Sequence, residues 1–309
     1  MASLAELRLE LETTIVVVFI ANEENATFVG IGVDQLEKEG YIDDLKKGPL
    51  FWIDSADSQP CIGTAGNIQW KMEVTGKLFH SGLPHRGINS IEMGMDVIST
   101  IQSKFYSSFP RTAEEDRYNY TTCSTMKPCQ ISCTPGALNQ LPPKCTLEGD
   151  IRLSPFYNIS EVKKQIEAWI AEINDQPEKI ETHGPHSHYA LTGDMSGSVK
   201  LTWLTEGENG IACNLNSKGY EALMYSTEKI LGTAKPYSIG GSLPLIRDLQ
   251  DKGFDVMVAG YGSSLKYHAD NESASLTDFK RAIQIIANVS ILYTSFSQLH
   301  PATNSILSF

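Results

Sequence analysis

Thr13-Thr14-Ile15-Val16-Val17-Val18-Phe19-Ile20-Ala21 is a run of apolar and β-branched residues, and it predicts a buried strand. A helical stretch follows around Val33 to Tyr41, and Pro49-Leu50-Phe51-Trp52-Ile53-Asp54 reads as a second strand. Two short apolar strands flanking a helix imply a parallel sheet. From Asn67 the texture changes to alternation, Ile68-Gln69-Trp70-Lys71-Met72-Glu73-Val74, the period of a strand buried on one face only. A helix from Ile88 to Phe105, strands near Pro128 to Thr134 and Cys145 to Leu153, a helix from Ser160 to Asn174 and a strand near Lys179 to Thr182 complete a β-α-β-β-α-β order. That order is the ferredoxin-like arrangement of a small α+β domain.

The small domain is placed at 67–184, inserted between 1–66 and 185–309, which together form a mostly parallel α/β domain. His183-Gly184-Pro185-His186-Ser187-His188 reads as the return linker, because a loop broken by Gly and Pro does not fix three histidines around a metal. After it come a strand at Ser198 to Leu204, helices at Gly219 to Leu231 and Leu243 to Lys252, a strand at Phe254 to Ala259, and a long amphipathic helix from Leu276 to Leu299. The polar connection Pro110 to Lys127 is expected to be mobile.

Composition narrows the class. The chain has 309 residues, 41% hydrophobic and 20% charged, which fits a globular protein of two domains. A formal charge of -12 offers no basic field for a phosphate backbone, so nucleic acid is not an expected partner. The apolar run at 15–21 is too short and too β-branched to span a membrane, and no basic segment leading an apolar core opens the chain. Six cysteines without C-x-x-C spacing suggest reduced thiols rather than a zinc knuckle. A cytoplasmic protein is expected.

Candidate chemistry gathers at strand ends. Glu23-Glu24 close the first apolar run, Asp54 closes the second, and Tyr267-His268-Ala269-Asp270 lies between the last strand and the last helix. Adjacent carboxylates at a strand end can diverge, one holding a cation while its neighbour acts as a base. Three carboxylates and an imidazole on one rim suit a hydrolytic zinc site.

These residues, together with His80-Ser81-Gly82-Leu83-Pro84-His85-Arg86-Gly87-Ile88-Asn89-Ser90-Ile91-Glu92, Asn139-Gln140-Leu141-Pro142 and Gly149-Asp150-Ile151-Arg152, resemble the M20 family of di-zinc amidohydrolases and peptidases. Within it the match is to the acetylornithine deacetylase group, and in order and spacing it covers nearly the whole chain. The resemblance implies metal-dependent hydrolysis of an N-acyl amino acid, with N-acetylornithine giving ornithine and acetate as the expected reaction. Related deacylations and desuccinylations use the same machinery.

By that resemblance Glu23 would be the general base, passing a proton from the attacking water to the leaving amine. Glu24, Asp54 and His268 would be ligands of zinc, two ions per site in the family, with cobalt as an alternative metal. Asp57 is a fallback for Asp54. His80 would reach across a homodimer to stabilise the oxyanion in the partner's site. Asn139 and Arg152 would position the substrate, the guanidinium gripping its carboxylate. Gly240-Gly241-Ser242 would offer backbone N–H groups to an anion or simply form a turn.

The family pattern begins with a His-x-Asp motif and a metal-bridging aspartate ahead of the Glu-Glu pair. The residues preceding Glu23 contain neither histidine nor aspartate. The expectation is weakened metal binding, and an alternative reading follows: a catalytically impaired, dimerising member of the family.

Overall fold

The structure, a computed structural model, describes residues 14–23, 30–182, 184–193, 195–266 and 269–299. Helix α1 (Val33–Lys38) is short, strand β1 (Pro49–Ile53) carries the predicted apolar stretch, and β2 (Cys61–Gly63) is fully buried. The chain then enters β3 (Gly66–Thr75), β4 (Phe79–His80), α2 (Ser90–Ser108), α3 (Ala113–Arg117), β5 (Thr125–Cys133), β6 (Gln140–Leu141), β7 (Lys144–Leu153), α4 (Ile159–Asp175), β8 (Ala190–Leu191), β9 (Met195–Ser196) and β10 (Ser198–Trp203). It closes with α5 (Lys218–Leu231), β11 (Tyr237–Ser238), α6 (Ile246–Asp251), β12 (Asp255–Ala259) and α7 (Leu276–Leu299). These elements divide into two units. One holds the described residues up to Gly63, Ile211–Ile239 and those from Leu243 onward; the other holds Thr64–Gly210 and Gly240–Ser242.

The smaller unit is an antiparallel sheet in the order β10-β3-β7-β5. Alternation explains it: Ile68, Trp70, Met72 and Val74 on β3 are all at most 1% exposed, while Gln69 and Thr75 face outward. Helices α2 and α4 cover the apolar face with Val97, Ile101 and Phe105, and Val162 and Ile166. Both helices begin at an asparagine, Asn89 and Asn158, whose side chain accepts an N–H of the first turn. On β7, Gly149 has no room for a side chain: a Cβ there would sit 1.9 Å from the Lys127 carbonyl oxygen and 2.6 Å from Trp70 Cζ2.

The larger unit carries a mixed sheet in the order β1-β12-β2-β11. β1 runs parallel to β12 from Pro49↔Asp255 to Ile53↔Ala259, β2 runs parallel to β11, and β12 meets β2 antiparallel. Helices α5 and α7 pack together, linked at their surface by Lys229 Nζ donating to Asn288 Oδ1 at 3.1 Å.

Several expectations change. The β-α-β-β-α-β order holds, but its last strand is β10, paired along β3 from Ser198↔Thr75 to Trp203↔Trp70. Near Lys179 there is instead a 3-10 turn, Pro177–Lys179, which Pro177 opens at a position its fixed φ suits. The small unit therefore extends to Gly210, past the histidine-rich segment where the return linker was expected at 184.

The run 14–20 forms no strand. Val16, Val17, Val18 and Phe19 are 54%, 50%, 40% and 91% exposed, and the run lines an apolar cavity of about 680 Å³ with β1, α5 and α7 rather than joining a ladder. Apolar content marks a preference for burial, whereas a strand also needs a hydrogen-bonded neighbour.

The connection 110–127 is anchored rather than loose. Thr112 and Glu115 form a reciprocal capping box on α3, Arg111 bonds Asp116 and the Tyr120 carbonyl, and the buried Tyr120 hydroxyl donates to the Thr64 carbonyl at 2.9 Å.

Candidate functional site

On the larger unit, Asp54 follows the last residue of β1, and its N–H donates to the Ala259 carbonyl at the end of β12 (2.8 Å). It thus sits at the C-terminal end of a parallel pair, where α/β folds place ligands. The half-buried Asp54 carboxylate has no hydrogen-bond partner among the described residues. Asp57 differs: its Oδ1 accepts the Ser264 N–H at 3.0 Å, so that carboxylate is engaged in holding the loop.

The loop carrying Asp54 is held from several directions. Asp57 and Ser58 both adopt positive φ (61° and 55°), and their N–H groups donate to the Gly262 and Gly260 carbonyls. The Tyr237 hydroxyl donates to the Ala56 carbonyl at 3.1 Å, and burial raises its pKa, so it stays a neutral donor. Gly260 permits the crossing, because a Cβ there would lie 1.7 Å from the Ser55 carbonyl oxygen. Sequence reasoning missed Gly260; a glycine directly after a buried strand was the available signal.

Glu23 is half-buried in the turn after residue 20, with Asn22 at φ 63°. Glu24 and His268 lie outside the described residues. Among the described residues no three His, Cys, Asp or Glu side chains form a metal-sized cluster, and this includes the histidines at 186 and 188.

On the smaller unit, His80 and Asn139 come together. β4 pairs antiparallel with β6 at His80↔Gln140, and the Ser81 N–H donates to the Asn139 carbonyl at 2.9 Å. His80 is exposed, and its Nδ1 accepts the Gly82 N–H at 3.0 Å. With Nδ1 accepting, the neutral tautomer that fits this bond has its proton on Nε2.

The segment His80 to Glu92 mostly builds this presentation. Gly87 allows close packing, since a Cβ would meet Phe79 Cβ at 2.6 Å and Leu141 Cδ1 at 2.8 Å. Asn89 caps α2, and Ser90 Oγ donates to the Pro142 carbonyl at 2.8 Å.

Arg152 on β7 is separately placed, its Nε donating to Asp150 Oδ2 at 2.8 Å with Ser242 Oγ 3.5 Å from Nη1. Its remaining donors suit a carboxylate. Of the Gly240–Ser242 turn, Gly241 supplies a carbonyl to the Ala65 N–H, and Ser242 faces Arg152.

A mixed α/β sheet bearing a strand-end carboxylate, Asp54, with an inserted β-α-β-β-α-β unit presenting the exposed His80, defines a class. Residues 62–178 match the peptidase dimerisation domain, and the chain belongs to the M20 peptidase family. Solved structures share the fold: a dinuclear metal-binding M20 peptidase of Bacillus subtilis (TM-score 0.59, 12% identity, 95% of this chain and 68% of that one) and an M20 metallo-carboxypeptidase of Sulfolobus solfataricus (0.55, 16%, 89% and 69%).

Among proteins of known name, the chain is 47% identical over 290 residues to the acetylornithine deacetylase of Arabidopsis thaliana, covering 94% of this chain and 66% of that protein. It is 43% identical over 282 residues to that of Dictyostelium discoideum, covering 90% and 63%. The chain thus spans just under two thirds of the length of these relatives.

Proposed function

We propose that the protein is a metal-dependent amidohydrolase acting on N-acyl amino acids, with N-acetylornithine converted to ornithine and acetate, and that it works as a homodimer. The observation that carries this reading is the 47% and 43% identity to two acetylornithine deacetylases along 94% and 90% of the chain.

In this reading Asp54, Glu24 and His268 hold zinc, for which cobalt can substitute. The donor set fits: carboxylate oxygens and an imidazole are zinc ligands, and the Asp54 carboxylate is unclaimed by protein donors among the described residues. Held there, zinc would supply Lewis acidity to the amide carbonyl.

Glu23 takes the proton from the attacking water and delivers it to the leaving nitrogen as the C–N bond breaks. His80, with Nδ1 occupied by the Gly82 N–H, donates from Nε2 to the developing oxyanion in the partner's site. Asn139 and Arg152 hold the amino-acid end of the substrate, Arg152 through its carboxylate. The dimer reading draws support from β5, which among the described residues pairs with β7 alone and is exposed from Lys127 onward, leaving an open edge with Ile131 58% exposed.

A second reading is a dimerising, non-catalytic subunit. One observation favours it: the small unit has a complete set of strands and helices.

A substrate panel of N-acetylornithine, other N-acetyl amino acids and an N-succinyl amino-diacid tests both readings, with Glu23→Gln as the comparison. Release of ornithine above the other products, abolished in Glu23→Gln with metal content kept, supports the enzyme. Preference for the succinyl compound would replace the substrate. A metal-loaded dimer silent on the whole panel would favour the second reading.

A further inference from the structure

The cysteines are not equivalent. Cys61 and Cys213 are buried in the larger unit, and burial pushes both thiols up to about 12, which keeps them protonated and inert. Cys129 is exposed but lies at the β5 irregularity, between Pro128↔Gly149 and Gln130↔Glu148, with no residue of β7 opposite it.

Cys133 and Cys145 face each other directly in the β5–β7 register. The adjoining Thr134 N–H donates to the Lys144 carbonyl at 3.0 Å, which makes Cys133↔Cys145 a non-hydrogen-bonded pair. Cα atoms in such pairs are about 4.5 Å apart, with side chains on the same face. That is within the range that disulfides span, roughly 4.4–6.8 Å, at its short end. Cys133 is exposed and Cys145 is buried beneath α2, where Gly94 leaves room: a Cβ on Gly94 would lie 3.6 Å from Cys145 Sγ. Both thiols are free in this structure.

We propose that Cys133 and Cys145 form a reversible cross-strand disulfide that staples the base of the loop 134–144. This loop carries Asn139, contains β6, which pairs with β4 at His80, and supplies the Pro142 carbonyl that anchors Ser90. The bond would therefore fix the base from which Asn139 and the partner strand of His80 project.

The oxidant is a small-molecule disulfide such as oxidised glutathione. The exposed Cys133 thiolate attacks it, forming a mixed disulfide and expelling one glutathione thiolate. The Cys145 thiol loses its proton, and its sulfur attacks Cys133 Sγ, expelling the second glutathione; two thiols are oxidised and one glutathione disulfide is reduced. Burial, with the neighbouring Cys133, raises the Cys145 pKa, so this resolving step quickens as pH rises.

The test treats the full chain with oxidised glutathione, maps peptides without reduction and counts free thiols. The expected result is loss of two of the six thiols, a single intramolecular Cys133–Cys145 bond, and recovery of both thiols with dithiothreitol. Cys145→Ser should stop at a glutathione adduct on Cys133. A parent chain in which Cys133 remains the glutathione adduct, bonds Cys129, or bonds a second chain would overturn the proposal.

Discussion

Gly149→Ala isolates a steric requirement inside a segment that otherwise reads as substrate-binding. The added methyl would sit 1.9 Å from the Lys127 carbonyl oxygen and 2.6 Å from Trp70 Cζ2. Ordinary carbon contacts lie near 3.5–4.0 Å, so β5 must retreat by more than about 1 Å at the point where Pro128 faces Gly149. Overpacking costs about 1–3 kcal/mol when side chains can adjust; a backbone oxygen and a fully buried indole leave little adjustment, so about 3 kcal/mol is expected. With a urea dependence of about 2–3 kcal/mol per molar, the midpoint should fall by roughly 1–1.5 M. Tryptophan fluorescence reads this unit well, because Trp70, Trp169 and Trp203 of the four tryptophans belong to it. Gly136→Ala is the control, since its Cβ would meet only the flexible Gln140 Oε1 at 3.3 Å, and it should stay within about 0.5 kcal/mol of the parent. Unfolding of Gly149→Ala at the parent midpoint would refute the reasoning.

Other perturbations separate chemistry from scaffold. His80→Asn should lower kcat by roughly 100- to 1000-fold, the usual cost of losing an oxyanion donor, with an unchanged urea midpoint because the ring is exposed; equal activity would remove His80 from catalysis. Gly260→Ala should displace the Asp54 loop and weaken zinc affinity at least about tenfold in a zinc titration, and unchanged affinity would dissociate Asp54 from the metal. Burial raises the Asp255 pKa against the lowering effect of the Ser217 hydroxyl. The folded state therefore disfavours the charged form: stability is complete below the unfolded pKa and declines as pH rises through the folded one. Asp255→Asn should accordingly be more stable than the parent near about pH 7, with the advantage vanishing near about pH 4, as read by urea midpoints; the reverse order would contradict the burial argument.

The small unit was legible because its core obeys simple periods: β3 alternates strictly, and α4 repeats Val162, Ile166, Trp169 and Ile173 on one face. Its last strand was misplaced because Ser198–Trp203 follows a Gly/Pro loop that looks like a domain exit, and only pairing with β3 shows where it belongs. The resemblance motifs pointed to His80, Asn139 and Arg152 as chemistry but concealed how much of each motif is support. Gly82, Gly87, Asn89 and Ser90 orient or anchor the His80 segment, and Gly149 accommodates Trp70. Asp54 is preferred over Asp57 for its place directly after a strand, and the Asp57 carboxylate is engaged by the Ser264 N–H. The run 14–20 shows the opposite failure, since hydrophobicity alone does not supply a ladder partner.

The most direct test of the account is zinc content of the purified protein measured together with ornithine release from N-acetylornithine. The account predicts bound zinc and turnover that disappears when the metal is chelated and returns when zinc is restored. Bound zinc without turnover, or turnover indifferent to chelation, would contradict it.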